Sequence, residues 1–376
     1  PCRLIESLPH IEGEWANRNE KLKLEPWQCF IYTTVFGWVY KPGYADPDTG
    51  RDLSGKRRFR IAYNEMARKN GKSTISAPLG IYLMSADDEA GAQVYSAATT
   101  RDQAKVIWGA AKKMVERDPM LRQAFGIDTS AHSIFQTSSG SRFQALTAEG
   151  NSLDGLNVHG GLIDELHAHR TSKVYDVIES ARGSRLQPLL WLITTAGFDR
   201  SGICYRIRDY ATKILGGVSQ DDSFFAIIYT LDEGDDWQDE SVWVKANPNL
   251  DVSVYSEQLR PEAAKAAAMP SFLSNFLTKH LSVWVNASVN LFNVTAWQAL
   301  ANPRLAPEQF KTDPCWLGLD FAPRNDFSSR IQLFRREQED GTHFYLFGRH
   351  FLSEGKVNES ENASYSGWAR EGWIKT

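Results

Sequence analysis

Arg57-Arg58-Phe59-Arg60-Ile61-Ala62-Tyr63, followed by Asn64-Glu65 and then Met66-Ala67-Arg68-Lys69-Asn70-Gly71-Lys72-Ser73-Thr74, is the stretch that decides how this chain is read. The first seven residues alternate towards an apolar core and predict a strand over 57–63. A polar loop over 64–71 then leads into a helix from Lys72 to about Met84. Strand, loop and helix in that order put Gly71-Lys72-Ser73 at a helix N-terminus, where backbone N–H groups can surround phosphate.

The segment resembles a P-loop, with Lys72 reaching the β- and γ-phosphates and Ser73 binding Mg²⁺. Met66 stands where such a loop ordinarily has its first glycine, so the triplet alone does not settle the reading. A nucleotide-hydrolysing site also needs a carboxylate on the end of a neighbouring buried strand to hold Mg²⁺, and a second acid to orient water. Gly160-Gly161-Leu162-Ile163-Asp164-Glu165 supplies both, Asp164 for the metal and Glu165 for the water. A third apolar run, Leu189-Leu190-Trp191-Leu192-Ile193, ends in Thr194-Thr195-Ala196-Gly197, whose hydroxyls could sense a γ-phosphate. Upstream, Leu24-Glu25-Pro26-Trp27-Gln28 offers an amide with both donor and acceptor for a base edge.

Outward from these motifs the pattern is regular. A strand at 92–98 precedes a helix opened by Thr100, segments 133–137 and 142–146 read as a hairpin, and 158–164, 189–194 and 223–231 read as further strands. Together they predict an open α/β sheet with helices on both faces as far as about residue 235. An acidic, turn-rich stretch from Glu233 leads into helical segments near 239–246, 256–268 and 270–284. Strands return at 315–321, 328–336 and 342–352, followed by a helical-looking 357–372. The expected domains are 1–235, a helical subdomain at 236–305, and the start of a second α/β domain at 306–376.

The 376 residues are 42% hydrophobic and 23% charged, which excludes disorder and leaves room for two or three domains. The formal charge of −4 removes any whole-chain argument for nucleic-acid binding, though a local basic patch remains open. Cys2, Cys29, Cys204 and Cys315 form no CxxC pair, arguing against a zinc ribbon or disulfide scaffold and for a reducing cytoplasm. No apolar run approaches the ~18–20 residues of a membrane span, so a soluble, unexported protein with no membrane partner is expected. The start at Pro1 and the stop at Gly372-Trp373-Ile374-Lys375-Thr376, without a closing turn or polar tail, read as a fragment.

The loop, the acid pair and the threonine turn, with Ala246-Asn247-Pro248 and Leu317-Gly318-Leu319-Asp320 after them, resemble the large terminase subunit of tailed bacteriophages and prophages. The resemblance covers nearly the whole chain. It implies an ASCE/RecA-like P-loop ATPase with a central, mainly parallel sheet, a helical lid, and the start of an RNase H-like α/β nuclease domain. In that family the Arg-Lys-Asn-Gly-Lys-Ser/Thr loop is a deviant P-loop, which accommodates Met66. ATP is then implied at Trp27, Gln28, Arg68, Lys69, Asn70, Gly71, Lys72, Ser73 and Thr74, with adenine near Gln28 and Mg²⁺ on Ser73 and Asp164. Glu165 would be the hydrolytic residue and Thr194, Thr195, Ala196 and Gly197 the coupling motif. Asp320 matches the first acid of a two-metal nuclease site using Mg²⁺ or Mn²⁺, and Asp326 lies nearby. The remaining acids are expected beyond Thr376, so a complete nuclease site is not expected here. The implied partners are double-stranded DNA, a portal protein, the small terminase subunit and further copies of the chain in a ring. The implied location is the cytoplasm of an infected or lysogenic bacterium, not the mature virion.

Motors of this kind need a guanidinium at the γ-phosphate, for which Arg68 is the candidate in cis and Arg101 the candidate in trans. Arg101 reads equally well as pairing a surface acid. Lys56-Arg57-Arg58 reads as a solvated strand start rather than a DNA track. His167 and His169, at i and i+2, cannot share one helical face and read as surface or supporting polar groups rather than metal ligands. Phe276 and Trp284 fall at helix-packing spacings. Two other functions fit parts of the sequence. A superfamily 2 helicase-like translocase would need a second RecA-like domain, and a catalytically silent assembly protein would explain Met66.

Overall fold

Val158–Ile163 and Leu189–Thr194 are buried along their whole length, as continuous apolar runs require when helices cover both faces of a sheet. They are β6 and β7 of an eight-stranded sheet whose other members are β1 (Ile61–Glu65), β2 (Gln93–Ala97), β3 (Ile127–Thr129), β4 (Ile134–Gln136), β5 (Ser141–Ala145) and β8 (Phe224–Ile228). The computed structural model describes residues 1–146, 155–285, 297, 300–322, 327–359 and 364–376. The order is β3-β4-β5-β2-β6-β7-β1-β8, parallel from β5 to β8 with β3 and β4 added antiparallel.

Helices pack on both faces. Residues of α1 (Cys2–Ser7), α3 (Pro26–Gly37), α4 (Lys72–Ser85), α5 (Arg101–Arg117) and α6 (Pro119–Phe125) join one core, and α2 (Gly13–Asn17) lies between the first two in sequence. Residues of α7 (Lys173–Ser180) and α8 (Ile203–Leu215) join the other. Both faces press hard on β6. A Cβ on Gly161 would sit 2.4 Å from Ile178 Cγ2 of α7, so no larger residue fits without displacing a branched carbon close to the helix backbone. Helix starts follow their local chemistry: the Thr100 hydroxyl accepts from Gln103 N at 3.3 Å, and Pro26 opens α3 inside a capping box of Glu25 and Gln28.

The first strand begins later than its alternation predicts, at Ile61 instead of residue 57. The backbone at 57 and 58 pairs instead with Val39 and Trp38, and Arg57 is not solvated. Its guanidinium is 2% exposed and pairs with Asp87 at 2.9 Å, and Asp87 also meets His159 Nε2 at 2.8 Å. These groups meet at the amino-terminal edge of the sheet, where Gln187 accepts from Arg57 N and donates to Asp87 O.

After β8 come three helices, α9 (Trp243–Ala246), α10 (Ser256–Ala268) and α11 (Pro270–His280), around a core of Trp243, Leu259, Leu273 and Phe276. Phe276 packs as its spacing predicts. Helix α11 stops at His280 instead of running to 284, and Ser282 takes a left-handed φ of +52°. Trp284 therefore lies outside the helix.

The chain divides into two units, Pro1–Leu291 and Phe292–Thr376. The second contains β9 (Cys315–Asp320), β10 (Ser328–Gln338), β11 (Gly341–Phe351) and β12 (Ile374–Lys375), ordered β12-β11-β10-β9. Its two helices, α12 (Glu354–Glu359) and α13 (Ser364–Arg370), fall within and just ahead of the expected helical 357–372. β9, β10 and β11 pair antiparallel, unlike the second RecA-like domain a helicase-like translocase requires. Among the described residues no helix is long and apolar enough to cross a membrane.

Candidate active site

Parallel strands bring their carboxyl ends to one edge, and the loops leaving β1, β2, β6 and β7 all open there. The acid-bearing strand is not the neighbour of the loop strand, as the sequence suggested: β7 lies between β6 and β1. The loop and the acids therefore face each other across the end of β7.

The loop turns through left-handed residues at Lys69 (φ +68°) and Gly71 (φ +78°). Lys72, almost wholly buried, folds back to donate to Met66 O at 3.0 Å and Ala67 O at 2.8 Å. Burial pushes its ammonium down to about 8, against the pull of Glu165 and Asp164. Ser73, the next residue, donates its hydroxyl to Asp164 Oδ2 at 3.2 Å. Burial, and then the neighbouring Glu165, push the Asp164 carboxyl up to about 6. These two oxygens fit a magnesium ion. Both are hard donors, and the Asp164 charge is one that burial and Glu165 disfavour and a divalent cation would stabilise.

Glu165 has a left-handed backbone (φ +48°), and its N–H donates to Asp164 Oδ1 at 2.8 Å. Burial alone would raise its carboxyl, but His167, followed by Lys72 and Arg68, holds it below the usual range. His167 Nδ1 approaches Glu165 Oε2 at 3.2 Å, while His169, which is buried, meets Asp164 O through Nε2 at 3.3 Å. The two histidines are thus supports of the acid pair, a role whose only sequence signal was their adjacency to it.

Lid and loop are sewn together by amides. Asn70 Nδ2 donates to Asn247 Oδ1 at 3.0 Å, and Asn70 Oδ1 accepts from Asn249 N at 3.0 Å. Trp27 Nε1 donates to Asn249 Oδ1 at 2.6 Å. Gln28 accepts from Glu25 N through Oε1, and its Nε2 lies 3.6 Å from where a Cβ on Gly71 would be. Arg68 is exposed, and its N–H donates to Lys279 O of α11 at 2.8 Å. Burial and the nearby Arg68 lower the Lys279 ammonium, so loop and lid each present a cation to this edge. Lys279 carries no motif and escaped the sequence reading. Thr74 follows Ser73 within α4. Arg101 opens α5, and its side chain lies outside the described residues.

The threonine turn is joined to the chain leaving the lid. Ala196 N donates to Ser282 Oγ at 3.3 Å and Val285 N to Gly197 O at 3.4 Å. A Cβ on Gly197 would lie 3.1 Å from His167 Cβ and 3.3 Å from the Trp284 ring. Trp284 Nε1 donates to Glu65 Oε1 at 3.1 Å, and that buried carboxylate also pairs with Arg208 at 3.2 Å. Trp284 is thus a core residue, as its spacing suggested, packed against Tyr205 of α8 and set under the turn.

In the second unit Asp320 ends β9, exposed, with Ser329 opposite it. Asp326 lies outside the described residues. Among the described residues no three His, Cys, Asp or Glu side chains gather to hold a metal.

Residues 26–213 match the terminase large subunit ATPase domain, and residues 218–375 match the terminase large subunit endonuclease domain. Protein YmfN of Escherichia coli (strain K12) is 41% identical over 198 residues, covering 53% of this chain and 44% of that protein. The large terminase subunit of Enterobacteria phage HK97 is 26% identical over 363 residues, covering 95% of this chain and 66% of that protein. The chain thus spans less than two thirds of either relative. The crystal structure of the HK97 bacteriophage large terminase superposes with a TM-score of 0.62 at 21% identity, over 100% of this chain and 72% of that one, a likeness of fold. With its loop, acid pair and lid on one sheet edge and both domain matches in sequence order, the chain belongs to the terminase large subunit family.

Proposed function

We propose that this chain is the motor subunit of a viral DNA-packaging machine, which hydrolyses ATP to drive double-stranded DNA into a procapsid. One observation carries the reading: Ser73 Oγ and Asp164 Oδ2, 91 positions apart, are 3.2 Å from each other across the end of β7. The loop from Arg68 to Thr74 surrounds the phosphates, with Trp27 and Gln28 beside it for the base. Mg²⁺, when bound, is held by Ser73 and Asp164 and neutralises charge on the phosphate oxygens. Lys72 leaves the carbonyls of Met66 and Ala67 for an anionic partner, which restores the full charge that burial disfavours. Glu165, ionised, orients the attacking water. Arg68 and Lys279 supply positive charge from loop and lid, and Arg101 acts on a neighbouring subunit. Thr194, Thr195, Ala196 and Gly197 couple phosphate loss to residues 282–285, to which the turn is hydrogen-bonded.

The second unit contributes Asp320 and Asp326 to a two-metal nuclease site for Mg²⁺ or Mn²⁺ that needs further acids to cut DNA. Partners are a portal protein, the small terminase subunit and other copies of the chain in a ring, in the bacterial cytoplasm. A silent assembly role is the second reading, favoured by the inward bonds of Lys72. Phosphate release measured with and without DNA separates the two. Lys72→Ala and Glu165→Ala abolish turnover while unfolding midpoints stay close to the parent protein, and undiminished turnover in either variant overturns the motor assignment.

A further inference from the structure

A row of four side chains crosses the sheet of the second unit. Asp320 of β9 pairs with Ser329 of β10, Ser329 with His350 of β11, and His350 with Ile374 of β12. Residues directly opposite one another point to the same face, so all four share one. With strands ~4.8 Å apart, His350 stands about 10 Å from Asp320. The Ser329 hydroxyl lies between them, 2.9 Å from His350 Nδ1.

At His350 this face opens into a cavity of about 300 Å³ lined by Phe327, His350, Trp368, Trp373 and Ile374. Four of these five carry aromatic rings. Phe327 and Trp368 pack on Tyr365, with ring centroids 5.2 and 5.9 Å from it. Trp373 N donates to Trp368 O at 2.9 Å and Trp373 Nε1 to Glu371 Oε2 at 3.1 Å, so the last indole is held by both its backbone and its ring. Even so, Trp373 is 69% exposed and Trp368 39%. Apolar rings fixed in contact with water gain most from a flat partner that covers them.

Position supplies the chemistry of that partner. The unit lies within the endonuclease match of residues 218–375, so a DNA strand that reaches Asp320 at one end of the row brings its nucleotides towards the other. Arg370 and Lys375 bracket Trp373 along the chain, and Lys375 Nζ lies 3.9 Å from where a Cβ on Gly372 would be. Cations for the backbone beside rings for the base are the composition of a single-strand site, where stacking accepts any base. A duplex keeps its bases paired and offers none without unpairing.

We propose that this cavity seats an unpaired nucleobase of a DNA strand, stacked on Trp373 and Trp368, while the strand's backbone runs past Asp320. For the part of Asp320 the inference rests on the nuclease reading, which it deepens.

The probe is a fluorescently labelled oligothymidylate, whose anisotropy is titrated with the full chain in EDTA so that no cleavage intervenes. Trp373→Ala removes a mostly exposed ring, keeps the unfolding midpoint, and weakens binding about 5- to 100-fold, the factor of one stacked base. Trp373→Phe recovers to within about threefold of the parent. An abasic strand of the same length binds the parent and Trp373→Ala within about twofold of each other, and so does a blunt duplex. Asp320→Asn removes a negative charge beside the phosphates and binds the oligothymidylate about two- to fivefold tighter. Unchanged affinity in Trp373→Ala overturns the inference, and a shift in sedimentation accompanying it gives the cavity to a second copy of the chain. An equal loss on the abasic strand or on the duplex overturns it as well. A Trp373 effect confined to the base-bearing strand, without any Asp320 effect, keeps the base site and removes Asp320 from the path of the strand.

Discussion

Asn70 and Asn247 lock the phosphate loop to the lid: Asn70 Nδ2 donates to Asn247 Oδ1 at 3.0 Å, and both side chains are fully buried. Asn247 also donates to Trp243 O at 3.1 Å and His280 O at 2.8 Å, so one amide ties together loop, α9 and the end of α11. Asn247→Ala removes all three bonds and is expected to cost about 2–4 kcal/mol. Urea unfolding checks this, and KM for ATP should rise in parallel. An unchanged midpoint would mean that the lid holds the loop by other contacts.

Gly197 has no room for a side chain. An alanine there presses on His167 Cβ at 3.1 Å and the Trp284 ring at 3.3 Å, which should cost about 1–3 kcal/mol as overpacking. Because Gly197 lies in the proposed coupling turn, Gly197→Ala should lower kcat more than ATP affinity. Equilibrium binding of a fluorescent ATP analogue beside turnover measurements separates the two, and an affinity loss as large as the kcat loss would contradict the expectation.

Lys279 and Arg68 repel one another, and a triphosphate would turn that repulsion into a shared attraction. Lys279→Ala should leave the unfolding midpoint unchanged or slightly higher while raising KM for ATP by about five- to tenfold. Titration calorimetry with ADP and ATP would locate the loss. Equal weakening of both nucleotides would remove Lys279 from the γ-phosphate.

Glu65 supplies a pH test. Burial raises its carboxyl above the ordinary value of 4.5, against the opposing pull of Arg208, Tyr63 and Trp284. Between 4.5 and the raised folded value the folded protein holds more protons than the unfolded chain, so stability falls as pH rises through that window. Glutamine has nothing to titrate. The stability of Glu65→Gln relative to the parent should therefore increase from about pH 4 towards pH 7, read from urea midpoints at each pH. A difference independent of pH would refute it.

Where one local signal dominated, the sequence was a reliable guide. β6 and β7 are nearly continuous apolar runs, Thr100 is a helix cap, and the strand-loop-helix around Lys72 needed only alternation followed by glycine. Long-range partners were not legible. Nothing near Arg57 announces Asp87 and His159, so a buried ion pair read as a solvated basic run. β7 between the loop strand and the acid strand is a matter of sheet order, which spacing does not encode. Lys279 and His167 gain meaning only when lid and turn fold onto the same edge. The helix expected to run to 284 stops at His280, and Ser282, with its left-handed backbone, follows where composition would continue it.

The tight contact between β6 and α7 has a consequence for any mutational library. Gly161 meets Ile178 Cγ2 at 2.4 Å, whereas Gly160 meets the tip of Leu83 at 2.9 Å and the two methyls of Val94 at 3.1 and 3.3 Å. A screen scored only for soluble expression would thus insist on glycine at 161 as stringently as a screen for turnover insists on lysine at 72. It would be less strict at 160, where the nearest atom is 0.5 Å further away (2.9 against 2.4 Å). Two adjacent, identical letters would carry different tolerances, decided by the helix and the neighbouring strand each one faces.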